Sequence, residues 1–228
     1  MNIDIISLYP IFWENIIINY SIFKKSIKNN ILKIYIHYLK NYGIGKNKKI
    51  DDYQYGGGYG MVLKIEPIYN CIKKIKKKKK IKKIIYLTPN SKLFNQKIAN
   101  KLSKEKNLVF ICGHYKGIDQ RIRDNIITKE YSIGNYIISN GEISTLIVID
   151  SIIRLIPGVI KNINSIITDS LYKDNNNKYE YPLYTRPYNF NNMKVPKILL
   201  SGNHKKIINW RKNKIKKKYF LYKDKGTK

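Results

Sequence analysis

Ile3-Asp-Ile-Ile-Ser-Leu-Tyr-Pro-Ile-Phe-Trp-Glu-Asn-Ile-Ile-Ile-Asn-Tyr20 puts a β-branched run, a proline and a segment of helical period one after another. Residues 3–8 read as a strand. Pro10 sits where a first helical turn accepts proline, so residues 10–20 read as a helix. The same order returns downstream, with strand candidates at 31–38, 83–87 and 108–112 and helix candidates at 67–79 and 93–102. Strand then helix, repeated, predicts parallel pairing through right-handed crossovers, hence an α/β fold on a mostly parallel sheet. Ligands of such sheets bind beyond the carboxyl ends of the strands, which directs attention to the loops after Leu87 and Cys112. A third loop, Ser132-Ile-Gly-Asn-Tyr-Ile-Ile-Ser-Asn-Gly-Glu142, precedes an apolar stretch, 143–156, that reads as a buried helix ended by Pro157-Gly158.

The 228 residues carry 45 Lys+Arg against 15 Asp+Glu, a net charge of +30, yet 43% are hydrophobic and 12% aromatic. That is too apolar for a disordered basic tail and enough to bury a core. The length suits one large domain, alone or with a small appendage. The charge favours nucleic acid as partner, with an anionic membrane surface next. Part of it reflects composition: Ile, Lys, Asn and Tyr dominate and Ala99 is the sole alanine, the pattern of an AT-rich genome. Cys71 and Cys112 fit neither a metal spacing nor a disulfide framework, which suggests a reducing cytoplasm. No apolar run approaches the ~18 residues of a membrane span and no signal segment is evident, so neither export nor membrane insertion is expected.

Residues 1–160 form the expected main domain. Residues 161–178 turn polar, with Asn175-Asn-Asn177, and read as a flexible linker. Residues 179–228 form a small, very basic domain with a helix near 203–217 anchored by Trp210. The lysine run at 73–83 is better read as a solvated helix end and loop than as a phosphate-binding element.

Asp51-Asp-Tyr-Gln-Tyr-Gly-Gly-Gly-Tyr-Gly-Met61 lacks the features of a P-loop or dinucleotide fingerprint and reads as a flexible loop. Its Tyr53, Tyr55 and Tyr59 are either surface residues or platforms for unpaired bases. The loops at 86–89, 113–119 and 132–138 mix glycine or small residues with apolar ones, which suits a flat heteroaromatic ligand such as adenine. Arg154 follows Asp150 by four residues, as in a helical salt bridge. Asp169, in Thr-Asp-Ser, reads locally as a helix cap or Asx-turn. His37, His114 and His204 are isolated, so no metal site is expected.

Taken together, these segments resemble the bacterial tRNA (guanine-N1-)-methyltransferases of the SPOUT class, the TrmD family. The resemblance rests on Ile5-Ile-Ser-Leu-Tyr-Pro10, Asp51-Asp52 with Tyr55-Gly-Gly-Gly58 and Gly60-Met61, Ile85-Tyr-Leu-Thr-Pro89, and Cys112-Gly113 with Tyr115 and Gly117-Ile-Asp119. It continues through Ser132-Ile-Gly134 with Tyr136, Asp150-Ser151 with Arg154, Ile156-Pro-Gly-Val159, Thr168-Asp-Ser170, Tyr184-Thr-Arg-Pro187, and Val195-Pro196 followed by Leu199-Leu-Ser-Gly-Asn-His204.

The resemblance implies a deep trefoil knot and an obligate cytoplasmic homodimer whose subunits share the active site. It implies methyl transfer from S-adenosylmethionine to N1 of guanine 37 in the tRNA anticodon arm, with Mg2+ dependence as a family trait. Cofactor contacts would come from Tyr86, Leu87, Thr88, Pro89, Gly113, Tyr115, Gly117, Ile133, Gly134, Asn135, Tyr136, Ile137, Ile138 and Gly141. Asp169 would be the catalytic base and Arg154 would stabilise charge on guanine O6, while Tyr55, Gly57, Gly58, Asn203 and His204 would contact tRNA. Lys116, Asn135, Asn140 and Ser144 depart from the family pattern, and the C-terminal domain is shorter than usual. Lys116 and Asn135 remove negative charge beside a cationic cofactor, so weakened cofactor affinity is expected. The alternative functions are a tRNA-binding protein of the same fold that has lost catalysis and, more remotely, a generic basic RNA binder.

Overall fold

β1 (Asn2–Ser7) is buried along nearly its whole length because both faces of its sheet are covered. The chain is described here from a computed structural model that covers residues 1–160 and 181–223, with side chains of the last helix described as far as Lys214. It divides into two units, Met1–Lys161 and Asn162–Lys228. The whole of the expected linker, residues 161–178, and Asp169 with it, lies outside the described residues.

In the first unit, β1 pairs with β2 (Lys33–Tyr38) on one side and β6 (Asn107–Ile111) on the other. β5 (Lys83–Leu87) then joins β6 to β7 (Lys129–Tyr131), giving the all-parallel order β2-β1-β6-β5-β7. The fold is α/β, as expected. Alternate side chains feed two apolar layers. Ile3, Ile5, Ile85 and Phe110 pack with Trp13 of α1 (Pro10–Asn19), Phe23 of α2 (Ser21–Lys28), Leu102 of α4 (Gln96–Leu102) and Ile149 of α6 (Gly141–Ile153). Ile6, Ile84, Val109 and Ile111 pack with Ile68, Ile72 and Ile75 of α3 (Ile65–Lys78) and Ile122 of α5 (Gln120–Asn125). Such coverage on both faces is what makes parallel strands read as continuous apolar runs.

Asp4 interrupts the apolar β1 and is wholly buried. Lys79 Nζ stands 3.0 and 2.9 Å from its two carboxylate oxygens, and His37 Nε2 lies 2.8 Å from Oδ1. The lysine run therefore divides in two. Lys73, Lys74 and Lys76 to Lys78 lie on the exposed side of α3, whereas Lys79 is a structural counter-ion for a buried carboxylate.

The structure corrects two local expectations and adds one helix. The helix expected from residue 93 starts at Gln96, because Asn95 accepts from Ile98 N as its cap and Phe94 N is donated to Ser132 O. Asp51 to Met61 is not wholly a loop: β3 (Asp51–Tyr53) and β4 (Met61–Leu63) pair antiparallel and leave only the tip free. α2 was hidden because the chain bends at Tyr20, whose extended backbone (φ −85°, ψ 115°) separates two helices in one apolar stretch.

The second unit holds a hairpin, β8 (Asn189–Phe190) with β9 (Met193–Lys194), a 3-10 turn at Lys197–Leu200, and α7 (His204–Lys223). Trp210 packs against Tyr184 at 6.3 Å between ring centroids, and Arg211 lies over the Tyr181 ring at 4.5 Å.

Candidate active site at the strand ends

Because β5, β6 and β7 run parallel, the loops that follow them emerge on the same edge of the sheet, with the start of α6 beside them. They enclose a cavity of about 670 Å³. Its walls include Tyr86, Leu87, Thr88, Pro89, Gly113, Tyr115, Gly117, Ile133, Gly134, Tyr136, Ile137, Ile138 and Gly141. Of the expected cofactor contacts, only Asn135 is absent from this wall. Backbone ties hold the loops together: Gly141 N donates to Gly113 O at 2.8 Å, Thr88 N to Tyr131 O at 3.0 Å and Ser132 N to Lys92 O at 2.9 Å. Two glycines are required by close approach. A Cβ on Gly141 would lie 2.4 Å from Gly113 N, and one on Gly113 would lie 2.8 Å from the Tyr86 ring.

Burial raises the pKa of the Tyr86 phenol, so it remains a neutral hydrogen-bonding group. Tyr115 is raised too, first by burial and then by the neighbouring Asp51 carboxylate. Arg123 also lines the cavity, but Glu130 holds it through two bonds of 2.7 Å. The departures have local roles. Asn140 caps α6 by accepting from Ile143 N, Ser144 Oγ donates to Gly141 O at 2.9 Å, and the Lys116 stem runs close over Gly60.

Sequence reasoning missed several lining residues. Gly60 and Met61 reach the cavity because β4 is tied to the cofactor loop: Lys116 N donates to Met61 O and Leu63 N to Gly117 O, both at 3.0 Å. His114 lines the cavity and stands 2.9 Å from the buried Glu142, a pairing no local spacing announces.

Arg154 terminates α6, one turn beyond Asp150. Burial raises the Asp150 pKa and the Arg154 charge opposes that rise. The hairpin tip is open, with Tyr55 fully exposed and no atom within 4 Å of a Cβ placed on Gly57; Gly58 would meet only the Gln54 side chain. In the second unit, Asn203 accepts from Lys206 N at 3.1 Å, and both Asn203 and His204 are exposed. Among the described residues, no three metal-binding side chains lie together, and no helix is long and apolar enough to cross a membrane.

A covered parallel sheet with a ligand-sized cavity at its carboxyl edge places the chain among α/β proteins that bind a small molecule beyond their strand ends. The family follows from comparison with known proteins. A family model described as tRNA (Guanine-1)-methyltransferase TrmD matches residues 1–225. A tRNA (guanine-N(1)-)-methyltransferase of Christiangramia forsetii is 47% identical over 93% of this chain and 92% of its own length. Proteins of the same name from Flavobacterium johnsoniae (45%, the same coverage) and Listeria monocytogenes (46%, over 96% of this chain and 89% of that one) agree. The chain belongs to the tRNA (guanine-1)-methyltransferase TrmD family, and it is an enzyme of that class.

S-adenosylmethionine, the methyl donor this family implies, fits the chemistry of the cavity. A volume of about 670 Å³ falls in the range of about 300–1,000 Å³ typical of small-molecule sites. Leu87, Ile133 and Ile138 offer apolar surface to a base, and the glycines expose backbone polar groups beside it.

Proposed function

We propose that this protein transfers the methyl group of S-adenosylmethionine to N1 of guanine 37 in the anticodon arm of tRNA. The observation that carries the proposal is the convergence of every implied cofactor residue except Asn135 on one cavity at the sheet edge. When bound, the sulfonium donor supplies an electrophilic methyl and a neutral leaving group. Guanine N1 holds a proton that water at neutral pH barely removes, so the protein must accept it. Asp169 is assigned that role, and the Arg154 guanidinium balances the charge that develops on O6. Each transfer then moves one proton from N1 to the Asp169 carboxylate and one methyl to the vacated lone pair.

We place the RNA on the hairpin tip, whose exposed Tyr53, Tyr55 and Tyr59 can stack on bases, with the aromatic and basic second unit, including Asn203 and His204, gripping the arm. We take the threading to be the family's trefoil knot and the working form to be a cytoplasmic homodimer with a shared site. Ile143 and Ile147, exposed one turn apart on α6, are consistent with a second copy covering that face. The implied Mg2+ has no cluster of ligands among the described residues, and no step above uses it. Asn140 and Ser144, which depart from the family, bond to the first turn of α6, and this favours a working site over a decayed RNA binder.

The test is labelled methyl transfer to unmodified tRNA bearing guanine at 36 and 37, against the same tRNA with adenine at 37. Transfer should require guanine 37 and fall by about 10²–10⁴-fold in Asp169→Asn, the usual worth of a general base. Binding of tRNA without transfer under any condition would leave the non-catalytic binder as the better account.

A further inference from the structure

We propose that Glu142, acting through His114, is a positioning residue for the loop at 113–117, fixing where Tyr115 and Gly117 meet the methyl donor; this rests on the donor occupying the strand-end cavity. Backbone bonds tie both ends of that loop: Gly113 O accepts from Gly141 N, while Lys116 and Gly117 bond to β4. Between them, Tyr115 has φ +59°, a left-handed conformation that a residue with a Cβ keeps only when its surroundings hold it there.

The side-chain restraint next to Tyr115 is a buried polar chain. Ser7 Oγ donates to Glu142 Oε1 at 2.6 Å, and Glu142 Oε2 stands 2.9 Å from His114 Nε2. Glu142 and Ser7 are each 1% exposed and His114 is 7% exposed. Glu142 lies in the first turn of α6, where the helix dipole favours its negative charge. Of the two ring nitrogens, Nε2 is the one that faces the carboxylate. Among the described residues Nδ1 has no hydrogen-bond partner, and the ring's close polar approach is that of Nε2 to Glu142. Tyr9 and Tyr115 pack edge-on against the imidazole, at 5.3 and 6.3 Å between centroids. Nε2 and Oε2 meet as a close polar contact and not as a well-aligned hydrogen bond.

A buried carboxylate is a poor way to gain stability, because desolvation consumes most of the attraction. Its use here is geometric. It joins two of the cavity's walls, the loop after β6 and the start of α6, through side chains 28 residues apart in sequence.

Isothermal titration of S-adenosylhomocysteine and steady-state kinetics test the assignment. Glu142→Gln should weaken ligand binding and raise the donor KM by about 10-fold, the scale of one lost buried polar contact, with kcat at saturation changed by less than about 2-fold. His114→Leu should match it, the double variant should be no worse than either single one, and His114→Gln, which restores an N–H near the Nε2 position, should recover most of the loss. Unchanged ligand affinity in folded Glu142→Gln, or effects that add in the double variant, would overturn the proposal. If Glu142→Gln does not fold, the contrast between His114→Leu and His114→Gln decides, and equal losses in those two overturn it. Wild-type protein that binds no S-adenosylhomocysteine would remove the donor site itself, and the proposal with it.

Discussion

The cavity loops and the hairpin tip differ in how much of their conformation the protein supplies for itself. Around the cavity, Tyr86 is 5% exposed and a Cβ on Gly141 would strike the backbone of Gly113 and Cys112. At the tip, Tyr55 is fully exposed and a Cβ on Gly56 or Gly57 would meet nothing. One region is built to hold a small ligand in a preset shape, and the other is left for a partner to shape. Preset sites gain affinity because little ordering remains to be done on binding, whereas open ones accept an ordering cost in return for adaptability.

The sharpest way to break this contrast is to add the same methyl group in both places. Gly141→Ala should cost about 3 kcal/mol of stability, since overpacking here meets backbone that cannot yield, and should abolish donor binding; urea denaturation and calorimetry read both. Gly57→Ala, at φ +80°, should cost only about 1 kcal/mol of left-handed strain and leave donor affinity intact. Equal losses at the two sites would mean that the tip is as constrained as the cavity.

Tyr55→Ala probes the open region from the partner's side. Loss of one base-stacking platform, worth about 1–3 kcal/mol, should raise the tRNA KM by about 10-fold without moving the donor Kd. A smaller effect is expected from Lys116→Glu, which puts a negative charge on the cavity wall and should tighten donor binding by about 2- to 5-fold, as partly screened charge pairs do. No gain in a calorimetric titration would show that Lys116 does not oppose the cofactor's charge.

The smallest effect concerns the hairpin base. Lys49, Lys64 and the Tyr53 amide bond to the Asp52 carboxylate and hold its pKa down to about 2. A lowered carboxylate pKa means that its contribution is complete above the ordinary value of 3.8 and disappears as pH falls through about 2. The Tyr53 amide resonance should therefore keep its position down to about pH 3 and pass the midpoint of its shift near pH 2.

The sheet was legible because its strands are buried on both faces: residues 83–87 read as a strand, and β5 has those bounds. The hairpin was not, because three-residue strands flanking four glycines leave too little alternation to see. The cavity walls could be read in outline, since parallel strands bring their following loops to one edge whatever those loops contain. Their resemblance to a known family then supplied residue names. His114 and Glu142 were invisible for a physical reason: each is an isolated residue in a loop or helix start, and only the fold makes them neighbours of each other and of Ser7, 135 positions from Glu142. Asp150 and Arg154 do fall one helical turn apart, as the spacing suggested, and the two charges interact.

Lys79 carries a different consequence. It sits among Lys77, Lys78 and Lys80, all exposed, yet its amine is committed to a carboxylate sealed inside the sheet. An acylating reagent applied to the folded protein should tag those three neighbours first and Lys79 last. The gap this leaves in a mass-spectrometric map of modified lysines reports whether β1 is seated, residue by residue, and does so without any assay of methylation.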